Sequence, residues 1–457
     1  MKLIGDKSFY KRVFKIAIPL MIQNGVTNMV GLINNITVGQ LGTEQLAGVA
    51  IANQLISIFY LMVFGVASAT GIFGAQYEGK RDYEGARNVF RLKILLMVFF
   101  CTAAILIFTI FGRSLISAFL HDNNDGSDLV LTLNEGYKYL LIMCIGFLPY
   151  GIGQAYAGSL REAGHTMAPM RSSVIALIIS LGLNLLLIPM IGVAGAAVAT
   201  VVSRFVEGSI TIFWTHRNQN IAHFIVHAYR TFKVPAELAK SVVIKGAPLI
   251  LNESLWSVGL TIVNQSYSYR GVTALAAVNM ASTIVNLVNV LFMTMGVVIG
   301  IIMGNMLGAD TPKEEVRDTN TKLIATSVGI SLGVAAILFA LGPVFPLLYK
   351  STSSEVKEIA KYLIWAEACG APFRAFGNAA YYTIRSGGKT LLTALYDCGF
   401  VWYALVPIAY CLAHFTGLGI IPMYFIIKMA EGIKCLIGFI MVKRGKWMTN
   451  IVDRQTA

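Results

Sequence analysis

The residues in this sequence best able to do chemistry are the few ionisable ones that fall inside long apolar runs. Glu253 leads them. It stands about one turn beyond Pro248, and Ser257, Thr261 and Asn264 continue the same helical face. A charge at the centre of a bilayer costs roughly 2.5–3.5 kcal/mol unless it faces a cavity or a partner. Glu253 can therefore exchange a proton, bind Na⁺ when ionised, hold a cationic substrate, or simply hydrogen-bond a neighbouring helix. Asp397 offers the same chemistry, with pairing to a basic neighbour as the alternative.

Other charged residues invite pairing. Arg204 precedes Glu207 by three residues, and Glu431 is flanked by Lys428 and Lys434 at helical spacing, so local ion pairs are expected in both places. Arg374 has two candidate partners: Glu367, two turns back on its own helix, or Glu253 on another. Neutral polar residues form a second set. Asn24, Asn34, Asn35, Asn53, Asn286 and Asn378, with Ser257 and Asn264, can line a water-filled cavity or hydrogen-bond between helices. Phe292, Met293, Met295, Tyr381 and Tyr382 suit either an adaptable wall for varied ligands or ordinary core.

The elements that position these groups are long and apolar. Of 457 residues 56% are hydrophobic and 13% charged, with mean hydropathy +0.68, too little charge for the surface of a soluble domain. Twelve runs approach or exceed bilayer thickness, at about 14–38, 47–76, 92–117, 138–160, 168–189, 194–215, 243–268, 275–305, 322–348, 360–385, 391–414 and 419–442. The expected fold is an all-α polytopic membrane protein. The first run follows Lys2, Lys7, Lys11, Arg12 and Lys15 and continues past Pro19, so it reads as a transmembrane helix and not as a cleavable signal.

The formal charge of +13 lies in short segments between the runs and forms no continuous basic face. It follows the positive-inside rule, which places both termini in the cytoplasm, and no nucleic-acid partner is expected. Cys101, Cys144, Cys369, Cys398, Cys411 and Cys435 fall within spans without CxxC or metal-type spacing. His223 and His227 stand at helical spacing in a polar linker and read as solvated. There is no phosphate loop, HExxH, GxSxG or dinucleotide fingerprint, so ATP-driven pumping, enzyme chemistry, a metal site and a cofactor are not expected.

An internal repeat organises the chain. A shift of 229 lays Pro19 on Pro248, Asn24 on Glu253, Asn35 on Asn264, and Gly42 on Gly271. It also lays Ala67, Gly71, Ala75 and Gly79 on Gly296, Gly300, Gly304 and Gly308, a ridge of small residues that lets helix backbones approach. A shift of 223 to 224 lays Lys138, Tyr139 and Pro149 on Lys361, Tyr362 and Pro372, then Arg161 and Gly164 on Arg385 and Gly388. The expected domains are a six-helix lobe at 1–215, a basic linker at 216–242, a second six-helix lobe at 243–442 and a tail at 443–457. The two lobes share one orientation around a central cavity.

Val38–Ala52 (VGQLGTEQLAGVAIA), Ala274–Ser282 (ALAAVNMAS), Ser159–Thr166 (SLREAGHT), Gly192–Thr200 (GVAGAAVAT) and Ile384–Thr390 (IRSGGKT) carry a resemblance over nearly the whole chain. The sequence resembles the bacterial-type multidrug and toxic compound extrusion (MATE) family. The resemblance implies two six-helix lobes, alternating access, and export of drug-like, often cationic amphipathic compounds in exchange for H⁺ or Na⁺. Glu253 matches the acidic residue that family often carries in helix seven. The chain departs from the family at Asn34, where many members carry Asp in helix one, at Ile188, where some carry Asp in helix five, and near Arg374, where some carry an acid in helix ten. A monomeric carrier in the cell (inner) membrane is expected, with a small-molecule substrate and the lipid bilayer as partners. A lipid or glycolipid flippase is the second reading and calls for a basic cavity, of which Arg374 is the one sign.

Overall fold

The computed structural model describes residues 3–39, 41–120, 128–349 and 352–453, without the side chains of 30–36, 39 and 43. Asn34 and Asn35 thus lie outside the described side chains. Fourteen α-helices run in order among the described residues: α1 (Lys7–Gly39), α2 (Thr43–Lys80), α3 (Tyr83–Ser117), α4 (Leu129–Ile145), α5 (Phe147–Glu162), α6 (Met167–Ile191), α7 (Val193–Arg217), α8 (Ala236–Ser268), α9 (Val272–Gly308), α10 (Lys313–Leu341), α11 (Ser354–Ser386), α12 (Thr390–Phe400), α13 (Val406–Phe415) and α14 (Ile420–Arg444). Among the described residues eight helices are long and apolar enough to cross a membrane, or nine with α4 and α5 as one broken span. The protein is a multi-pass membrane protein. Helices α11 and α14 are 33 and 25 residues long, but Glu367 and Arg374 in one and Lys428, Glu431 and Lys434 in the other lower their hydropathy.

Two expected spans are interrupted, each at a proline. The run at 138–160 is two helices bent by 46°. Pro149 has no N–H for the Ile145 carbonyl, and the Gly146 N–H closes a shorter turn on Met143 O at 2.9 Å. The run at 391–414 is α12, a π-turn at Val401–Leu405, and α13. Pro407 likewise leaves the Tyr403 carbonyl without its usual donor, and the backbone widens so that Val406 N–H bonds to Val401 O.

The chain divides into two compact units, Ile18–Glu78 with Asp82–Val242, and Met1–Ala17, Gly79–Arg81 with Val243–Ala457. In the first, α7 packs against α4, α5 and α6, and α3 against α4 and α5. In the second, α11 is the central helix and packs against α9, α10 and α14. Left-handed backbone recurs at repeat-related turns: Gly42 (φ 148°) and Gly271 (92°), Arg81 (59°) and Asp310 (49°), Gly164 (79°) and Gly388 (71°). The repeat therefore extends from residue identities to turn geometry.

A close helix approach lies outside the small-residue ridge read from the repeat, at Gly48 and Gly136. A Cβ on Gly48 would lie 2.5 Å from the Thr132 carbonyl, and one on Gly136 2.7 Å from the Gly48 carbonyl, so α2 and α4 cross backbone to backbone. In the second unit Gly296 and Gly300 of α9 receive the Tyr382 ring of α11.

Candidate functional site

In the second unit the polar network is built from α8, α11, α12 and α14. Glu253, partly buried, accepts a hydrogen bond from the Tyr381 hydroxyl at 3.1 Å. Its neighbour Asn252 is fully buried; its Nδ2 donates to Asp397 Oδ2 at 3.1 Å, and its Oδ1 accepts from the Cys398 N–H at 3.1 Å. Lys434 Nζ donates to Asp397 Oδ1 at 2.6 Å. Arg385 is 8% exposed, lies over the Tyr382 ring at 5.1 Å, and is within electrostatic reach of Glu253. The two carboxylates singled out in the sequence thus belong to one network with two cations beside them. Asn252 and Lys434, which complete it, were not among the expected site residues.

A second cluster lies on the α11–α14 contact. Glu367 is 2% exposed and accepts from Arg374, from Lys428 Nζ at 2.8 Å and from the Tyr424 hydroxyl at 2.5 Å. Arg374 therefore answers to Glu367 on its own helix. The pairs expected between Glu431 and its flanking lysines do not form: Lys428 reaches Glu367 and Lys434 reaches Asp397, both on other helices. A buried carboxylate without a counter-charge is far costlier than a partly exposed one, so the long lysine stems cross to the more deeply buried acids.

The first unit carries its own charged groups. Lys93, fully buried, donates to Glu162 at 2.6 Å and to Ser159 Oγ at 2.9 Å. Arg204 Nη1 donates to Glu207 Oε2 at 3.0 Å, as their spacing implied, and stands 4.8 Å over the Tyr150 ring. Ser173 Oγ donates to Glu207 Oε1 at 2.5 Å and accepts from Gln23 Nε2 at 3.0 Å. A narrow cleft of about 10 Å³ opens here, lined by Gln23, Tyr150, Gln154, Ser172, Arg204 and Glu207 among others. Arg204 and Glu207 stand 224 residues before Lys428 and Glu431, so both units place a cation at the same point of the repeat.

The remaining sequence candidates divide. Asn24, Ser257, Asn264 and Asn286 are exposed on their helices. Asn53 bonds the Tyr139 hydroxyl, and Asn378 Nδ2 donates to the Phe292 and Met293 carbonyls at 3.3 and 3.4 Å, tying α11 to α9. Phe292 and Met295 are core, and only Met293 of that apolar group is well exposed.

The MatE family model matches residues 19–186 and 248–411, one segment in each half of the repeat. The chain belongs to the MatE family. Among its relatives, "Probable multidrug resistance protein YoeA" of Bacillus subtilis is 22% identical over 91% of this chain and 90% of its own length. "Probable multidrug resistance protein NorM" of Thermotoga maritima is 23% identical over 90% of this chain and 87% of its own. Of solved structures, a MATE protein in complex with MaL6 superposes with TM-score 0.87 at 21% identity, covering 98% of both chains. An outward-facing multidrug resistance MATE family transporter of the MOP superfamily also superposes with TM-score 0.87 at 21% identity, covering 98% and 97%. The MatE fold is thus shared along essentially the full chain.

Proposed function

We propose that this MatE protein is a secondary efflux carrier of twelve membrane-crossing helices in two six-helix halves, exchanging a drug-like amphipathic compound for H⁺ or Na⁺ by alternating access. It works as a monomer in the cell membrane, with its basic segments and both ends in the cytoplasm. The observation that carries this reading is the setting of Glu253. In a MatE chain, a carboxylate on a long apolar helix accepts from the Tyr381 hydroxyl and from Asn252, while Asn252 and Lys434 in turn hold Asp397. Such a group is available to a proton, a small cation or a cationic substrate in turn, which is what exchange requires. The exposed stripe Ser257, Thr261 and Asn264 on the same helix supplies a polar face next to it.

The driving force is adequate. One positive charge entering is favoured by about 2.3 kcal/mol per 100 mV of membrane potential. At one-to-one exchange that concentrates a neutral substrate roughly fiftyfold. The relatives' names, which speak of multidrug resistance, support a drug-like cargo. The test is uptake of a fluorescent amphipathic dye into proteoliposomes under separately imposed proton and Na⁺ gradients, for the natural chain and Glu253→Gln. Gradient-driven uptake lost in the variant is the expected result and identifies the ion. Equal uptake by both proteins would remove Glu253 from the coupling role, and no uptake under either gradient would turn attention to labelled lipid as cargo.

A further inference from the structure

We infer that residues 445–453 are a positioning strap for α12: seated on the turn from which that helix starts, they hold Asp397 in register with Lys434 and Asn252 and so set how the Glu253 network takes up the coupling ion. The inference rests on the efflux reading and gives it a part of the chain that the reading leaves unused.

The strap is built residue by residue from the end of α14. Gly445, with φ 70°, turns the chain back at the helix end. Trp447, Ile451 and Val452 are buried, and Trp447 Nε1 donates to Val442 O at 3.1 Å. Asn450 pins the far end: its Nδ2 donates to Asp310 Oδ1 in the α9–α10 turn at 2.9 Å, while its Oδ1 accepts from the Val452 N–H at 3.1 Å. Asp453 then pairs with Lys80 of the same unit. Terminal segments stay loose unless burial and hydrogen bonds tie them down, and this one has both.

The seat is visible in the repeat. Ala163 of the first half corresponds to Gly387 of the second, by the shift of 224 that pairs Gly164 with Gly388. Gly387 has an ordinary φ of −85°, so its missing side chain answers to space and not to backbone conformation. A Cβ there would overlap the Trp447 carbonyl oxygen, and one on Gly388 would come within 2.8 Å of Ile451 Cγ2. In the first half the segment after α7 lies elsewhere: the Phe224 ring packs on Phe90 with centroids 5.1 Å apart, Arg91 Nε donates to Ala228 O at 2.7 Å, and Ala163 stays partly exposed. The methyl group is absent in the half whose tail occupies its place.

The turn matters because α12 is short. It has 11 residues, and no side chain caps its first turn among the described residues. Asp397 stands two turns in, where it accepts from Lys434 and Asn252, and the Tyr396 hydroxyl beside it donates to Lys434 O at 3.3 Å. The start of the helix is held by the turn and the tail seated on it. Helix α14 thus reaches α12 twice, through Lys434 and through the tail. With the tail lifted, α12 is pinned at its Asp397 end alone, and the bonds there, including the one to the neighbour of Glu253, must absorb every tilt of the helix.

Gly387→Ala is the informative variant, because its methyl lifts the tail without altering the tail or any ionisable group. In the purified full chain, protease protection of 445–453 should fall, and hydrogen exchange across Thr390–Phe400 should quicken at least about tenfold, with α3 and α6 unchanged. In proteoliposomes the half-saturating concentration of the driving ion should rise several-fold at a nearly unchanged maximal rate, a split that mere loss of folded protein does not produce. Trp447→Ala should behave in the same way, and Trp447→Phe should retain most of the natural behaviour. A tail still protected in both Gly387→Ala and Trp447→Ala would overturn the seating. Unchanged exchange in α12 once the tail is cleavable, or quickened exchange with the same ion dependence, would overturn the positioning role and leave the efflux reading standing. A natural chain without gradient-driven uptake would overturn the efflux reading and the coupling half of this inference, while exchange in α12 still decides whether the strap holds that helix.

Discussion

Asn252 and Asp397, 145 residues apart in sequence, are joined by a buried amide-to-carboxylate hydrogen bond of 3.1 Å, and the same amide accepts from the backbone at Cys398. This one side chain ties α8, which carries Glu253, to α12. Replacing Asn252 by Ala should lower stability by about 1–2 kcal/mol, the range for an interhelical hydrogen bond in a membrane together with the loss of a satisfied buried group. It should also reduce transport although Glu253 is untouched. Thermal unfolding in detergent and proteoliposome uptake, measured on the same preparation, check the two effects.

The ion pair between Lys434 and Asp397 should be strongly coupled. Their side chains are 11% and 16% exposed, so either Lys434→Met or Asp397→Leu alone leaves a charge with little water around it, at a cost of about 3–5 kcal/mol. The double variant should cost much less than the sum. A double-mutant cycle on unfolding midpoints gives the answer, and additivity would mean that the two groups do not sense each other.

Gly48→Ala and Gly136→Ala should each destabilise the first unit by about 1–3 kcal/mol, because the added methyl meets backbone atoms of the facing helix that cannot rotate away. Gly432→Ala, whose Cβ would meet only a ring carbon at 4.0 Å, serves as the control. Yield of monodisperse protein after mild heating separates the three.

Tyr381→Phe removes the hydroxyl that donates to Glu253 and hydrogen-bonds Arg385. Uptake at saturating gradient should fall several-fold, with unfolding close to that of the natural chain. Unchanged uptake would show that the Glu253 carboxylate does not need the Tyr381 hydroxyl to work.

The tail docks through Asp453, whose carboxyl is held below its ordinary value mainly by its hydrogen bond from Lys80. Because the folded value is the depressed one, this contribution is complete above the ordinary aspartate range and is lost as pH falls through the lower, folded value. Protease protection of 445–453 should therefore be constant from neutral to mildly acidic pH and fall only in strong acid, whereas Asp453→Asn should lose part of it at neutral pH. Both groups are substantially exposed, so the effect is modest.

Sequence periodicity reached far in this protein because membrane helices announce themselves by length, and because the repeat fixes which turns correspond: Gly164 and Gly388, paired by identity, share the same left-handed backbone. The halves match in the family model as well. Glu253 was legible because a carboxylate inside an apolar run has no other easy explanation. Asn252 was not, since a neutral amide there costs little and signals nothing. Lys93 lies near the start of its helix, and its burial depends on Glu162, 69 residues away, which no local pattern reveals. The lysines around Glu431 misled for a related reason. Helical spacing states which pairs can form, but Glu367 and Asp397 on other helices compete for the same lysines, and only the packed structure sets that contest.

The Glu367 cluster also divides its charge between near and far sources. Lys428 and Tyr424 reach Glu367 from α14, so that part of the cluster depends on how two helices pack. Arg374 lies on the same helix, two turns away, and pairs with Glu367 whatever α14 does. A change that loosens the α11–α14 contact therefore leaves the Glu367 carboxylate one cation that moves with it.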